Sequence, residues 1–118
     1  MKFARWVFLI AGVYGVLALA PGFFTEARLA PFSHPEFYYG FLGLALVFQF
    51  VFFIIASDPL RFRLLMPIAV LEKLSFFAPC VSLYAAGRIE VSPFFIGGLI
   101  DGAWMVLFAA AWLRLRGH

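Results

Sequence analysis

Residues 37–57 read FYYGFLGLALVFQFVFFIIAS, a run without a single charge in which Gln49 is the one side-chain amide. Its length matches the roughly 20 residues that a helix needs to cross a hydrocarbon core of about 30 Å. A membrane β-strand needs about half as many residues and alternates apolar with polar side chains, which this run does not. An open sheet would also leave backbone groups unsatisfied in lipid. The segment therefore reads as a transmembrane helix, and the fold class as all-α.

Three further runs repeat the pattern, at residues 3–24, 64–86 and 91–113, joined by connections at 25–36, 58–63 and 87–90. They fill the 118 residues as a single transmembrane domain (1–118), expected to be a four-helix bundle of up-down topology. Composition agrees: 65% of residues are hydrophobic and 13% charged, against roughly 45–50% and about 25% in an average soluble domain. Such a chain is neither disordered nor a disulfide scaffold, since its lone Cys80 has no intrachain partner. The net charge of +3 does not point to nucleic acid, because the basic residues are dispersed and flank the apolar runs.

Start and stop signals bracket the runs. Ser33 with Glu36 has the spacing of a capping box, while Asp58-Pro59 and Ser92-Pro93 each pair an N-cap residue with a first-turn proline. Pro21-Gly22 marks the end of the first run. Lys2, Arg5, Arg61, Arg63, Arg114 and Arg116 fall on one side of the expected topology. Arg28 and Arg88 fall on the other, with Glu26, Glu36 and Glu90, so the positive-inside rule predicts cytoplasmic termini. Trp6, Trp112, Tyr38 and Tyr39 sit where interfacial aromatic belts are expected. Lys2 and Arg5 ahead of an apolar stretch ending Ala18-Leu19-Ala20 also have the outline of a signal peptide. The proline at position 21 and the apolar continuation through Phe24 argue instead for a retained span.

Three charges lie inside the runs: Glu72 and Lys73 in the third and Asp101 in the fourth. Each costs roughly 2.5–3.5 kcal/mol at a span centre on insertion scales. At 1.5 Å per residue, Glu72 and Gln49 lie about 12 Å, and Asp101 and Tyr14 about 16 Å, above the basic boundary. Tyr14, Gln49, Glu72, Lys73 and Asp101 are therefore expected to meet in one layer near the midplane. Such a cluster can fix helix register, bind a ligand or ion, or dock another subunit. Two acids around one base leave a carboxyl in excess, so Glu72 and Asp101 are expected to titrate as a coupled pair around Lys73.

Pro67 and Pro79 bracket Glu72 and Lys73, and each is expected to remove a helical hydrogen bond, exposing the carbonyls of Arg63 and Ser75. Gly98 and Gly102 form a GxxxG pair expected to face the third span, and Ala11 with Gly15 is a weaker small-residue pair. His34 and His118 lie outside the runs, so no pair of imidazoles is available within the membrane for haem. No catalytic triad, HExxH, phosphate loop or CxxC is present, which leaves Glu72 and Asp101 as the acid-base groups.

In its size, its four tightly connected spans and the Asp-Pro-x-Arg-x-Arg turn of Asp58 to Arg63, the chain resembles the DoxX-like group of small bacterial four-span membrane proteins. That group includes subunits associated with quinone-linked redox complexes. The resemblance implies an inner-membrane protein that works with partners, and it implies neither a reaction nor a functional residue.

The sequence thus predicts a multi-pass protein of the bacterial inner membrane, in an accessory or ligand-binding role rather than a catalytic one. No cofactor or metal is called for, and a lipid or quinone is the small molecule its midplane would accept. Partners expected are the bilayer, other membrane subunits and further copies of the chain. The alternatives are a proton-coupled transporter or proton-conducting subunit using Glu72 and Asp101 as relay groups, and an intramembrane acid-base enzyme acting on a lipid-like substrate through Glu72.

Overall fold

The computed structural model describes residues 2–26 and 33–116. The topological role expected of Arg28 and the position of His118 therefore lie outside the described residues. Regular structure among those described is entirely helical. Helix α1 (Lys2–Leu19) runs into a 3-10 segment, Ala20–Phe24, and α2 spans Pro35–Ser57. A 3-10 turn at Arg63–Leu65 leads into α3 (Met66–Ala85), and α4 covers Pro93–Leu115. Four helical segments of 23 residues each are long and apolar enough to cross a membrane.

The helix ends follow local chemistry, not always as expected. Ser92 caps α4, its hydroxyl accepting a hydrogen bond from Phe95 N at 3.3 Å with Pro93 in the first turn. Replacing Ser92 by Ala should cost about 1 kcal/mol, read as a shift in reversible unfolding in mixed micelles; an unchanged midpoint would show that the cap contributes nothing. Helix α3 ends in a Schellman arrangement, in which Gly87 at φ 74° lets Arg88 N reach Leu83 O at 2.9 Å and Gly87 N reach Tyr84 O at 3.0 Å.

The capping box expected of Ser33 and Glu36 does not form. His34 takes the N-cap position, Pro35 follows in the first turn, and Glu36 pairs with His34 Nδ1 at 3.1 Å. Asp58 does not cap the third span either: it terminates α2 and accepts from Arg61 N at 3.3 Å, stabilising the turn before Arg63–Leu65. Pro67 lies in the first turn of α3, where no intrahelical bond is lost, so only Pro79 interrupts that helix.

The helices associate as two close pairs. Lipid gives apolar helices little reason to adhere, so small residues that let backbones approach carry the contacts. On α1, a Cβ at Gly12 would stand 2.5 Å from the Phe53 ring, and one at Gly15 would overlap the Gln49 amide, both on α2. On α4, a Cβ at Gly98 would meet Cys80 Sγ at 2.6 Å, and Gly102 faces Phe77, both on α3. The GxxxG pair is thus used within the chain, against the third span as expected.

One apolar core joins the pairs. Phe8 stacks on Phe108 at 4.3 Å and 12°, and Phe52 meets Phe108 at 4.9 Å and 61°. Ala4, Val7, Ala11, Ile55, Ala56, Met66, Ala69, Ala111 and Leu115 are buried with them. Arg114 lies over the Phe3 ring at 4.1 Å, and Arg5 Nε donates to Ala56 O at 3.2 Å, so basic side chains gather at this end. Toward the other end, Tyr38 donates to Gly22 O and Tyr39 to Glu26 Oε1, each at 2.7 Å, binding α2 to the continuation of α1. Contact between α2 and α3 is sparse along their length.

Candidate functional site

Joined through the phenylalanine core and apart beyond it, the two pairs enclose a cavity of about 940 Å³ to which all four helices contribute. Tyr14, Gln49, Glu72, Lys73 and Asp101, the five polar groups placed in one layer by residue spacing, all line it. They form its polar patch, on the side next to the core: Phe52, one turn from Gln49, holds its ring 5.2 Å from Lys73 Nζ. Aromatic side chains including Phe41, Phe48, Phe76 and Phe94 supply much of the remaining wall. Leu44 of α2 and Leu71 of α3 line the cavity yet are exposed on the outside of the protein, so it opens sideways where these two helices part.

Lys73 is the centre of the charged set. Its ammonium donates to Asp101 Oδ1 at 3.3 Å and lies 3.7 Å from Glu72 Oε2. Its side chain is 5% exposed, whereas those of Glu72 and Asp101 are 15% and 19% exposed. The ammonium is therefore set behind the carboxyls, held between two acids and the face of Phe52. Gln49 is buried and donates from Nε2 to Ala45 O at 2.6 Å, which fixes the amide orientation. Its Oε1 and the Oε2 of Glu72 are buried without a hydrogen-bond partner among the described residues. Tyr14 stands with its ring 6.1 Å from Trp104.

Comparison with family models, curated proteins and solved structures returned no match. The chemistry of the site therefore rests on its own geometry. No cluster of three or more His, Cys, Asp or Glu side chains suited to a metal occurs among the described residues. A carboxyl-rich polar patch under aromatic and aliphatic walls can hold the polar end of an amphiphile while its apolar body fills the upper space.

The wall residues were not singled out by sequence, although helical spacing marks them. Counting three or four residues from each polar group leads to Ala18 from Tyr14, Ala45 from Gln49, Phe76 and Ile68 from Glu72, and Gly97 from Asp101, all of which line the cavity. Ser75, whose backbone carbonyl is expected to be released by Pro79, also lines it, with its hydroxyl donating to Leu71 O at 2.7 Å.

Proposed function

We propose that this chain is a small multi-pass membrane protein that binds one amphiphilic molecule, with the polar end of that molecule on the Glu72, Lys73 and Asp101 patch and its apolar body between the helix pairs. The observation that carries the reading is the cavity of about 940 Å³, whose described lining has one charged patch and mostly apolar walls. The side opening between α2 and α3 gives a membrane-dissolved molecule a route that avoids water. The role is accessory rather than catalytic: presenting or retaining a lipid-like or quinone-like molecule for partner subunits, the resemblance to the DoxX-like group implying only that the chain works with partners. In this reading the helices thread the bacterial inner membrane up and down with both termini cytoplasmic, as the asymmetry of Lys and Arg favours.

Trp104 offers a test, because its ring stands beside that of Tyr14. In nanodiscs, the Trp6→Phe, Trp112→Phe variant retains Trp104 as its one indole. Pyrene carrying a hydroxymethyl or aminomethyl head should then take up energy from Trp104 and saturate near one probe per chain. Energy transfer that rises without saturating for both probes, as simple bilayer partitioning would give, overturns the proposal.

A further inference from the structure

We infer that the cavity selects amphiphiles with a cationic head over neutral or anionic ones, an inference that rests on the ligand-binding reading above. Among the described residues its charged lining consists of Glu72, Lys73 and Asp101, and with both carboxyls ionised the patch carries one net negative charge. The charges are also arranged in depth. Lys73 is the least exposed of the three, lies within 3.3 Å of Asp101 and 3.7 Å of Glu72, and faces the Phe52 ring. A molecule entering the cavity meets carboxyl oxygens before it meets the ammonium.

Glu72 is the carboxyl in excess. Asp101 takes the hydrogen bond from Lys73, whereas Glu72 stands at ion-pair distance only and has an oxygen without a hydrogen-bond partner. A surplus acid whose side chain is partly exposed calls for a head that carries positive charge, such as a protonated amine. An anionic head would be repelled by the nearest charges and could reach Lys73 only by displacing one of its acids.

Three probes of one shape test this in zwitterionic nanodiscs, with Trp104 as the energy donor: 1-pyrenemethylammonium, 1-pyrenemethanol and 1-pyrenecarboxylate. The ammonium probe is expected to bind at least about tenfold more tightly than either of the others, after subtraction of partitioning into protein-free discs. Glu72→Gln keeps the Lys73 and Asp101 pair, removes the surplus charge, and should bring the three affinities within about threefold of one another. Equal affinities in the unmodified binding site, or tighter binding of the alcohol or carboxylate, would overturn charge selection while leaving the ligand-binding reading intact. Saturation by none of the three would remove that reading and this inference together. The comparison among probes needs no substitution at the patch, so it holds even should Glu72→Gln fail to fold.

Discussion

Lys73→Met should destabilise the folded protein by about 3–5 kcal/mol, the usual consequence of removing one member of a buried ion pair and stranding the other. Here two acids are stranded: Asp101 loses the donor at 3.3 Å and Glu72 its counter-charge at 3.7 Å. Neither carboxyl has another cation among the described cavity-lining residues to turn to. The loss should be visible in reversible unfolding in mixed detergent micelles. The triple variant Lys73→Met, Glu72→Gln, Asp101→Asn should regain most of it, because replacing a whole buried charge set is far less costly than breaking it. A loss below about 1 kcal/mol for Lys73→Met would mean that the three groups reach water or lipid headgroups in the folded state, and that the ammonium does not hold the α3 and α4 pair together.

How much of this arrangement can be read from the chain depends on the range over which each feature is decided. The four spans are set by run length alone, and their bounds shift by no more than two residues between sequence and structure. The common layer of Tyr14, Gln49, Glu72, Lys73 and Asp101 follows from helical rise, and all five do line one cavity. Capping was less legible where two candidates compete: His34-Pro35 displaced Ser33, because proline belongs in the first turn and fixes the residue before it as the cap. Pro67 looked like a kink only because α3 begins later than the apolar run suggests. The cavity itself was invisible. It exists because Phe8, Phe52 and Phe108 lock the pairs together on one side while the glycines of α1 and α4 hold each pair close along its length. Nothing local distinguishes those three rings among 17 phenylalanines. Which of them meet is a property of the assembled helices.

Gly97 and Gly98 are neighbours on α4, and substituting phenylalanine at each should have opposite consequences. A Cβ at Gly98 would stand 2.6 Å from Cys80 Sγ and 2.9 Å from Cys80 Cβ, so α4 would have to move off α3. Overpacking of this kind costs about 1–3 kcal/mol or more. A Cβ at Gly97 meets nothing within 4 Å, and the residue lines the cavity. Gly97→Phe should therefore leave stability unchanged or raise it by about 0.3–0.5 kcal/mol, because glycine is the poorer helix former. The added ring would occupy the space above Asp101, one turn away, and weaken binding of 1-pyrenemethylammonium by about tenfold or more. Unfolding midpoints and probe affinities measured on both variants separate the two effects, since packing between α3 and α4 governs the first and cavity volume the second. If Gly97→Phe instead lowered stability as Gly98→Phe does, the space beside Gly97 would have to be closed in the folded protein. The same variant binding the probe as tightly as before would show that the probe sits elsewhere.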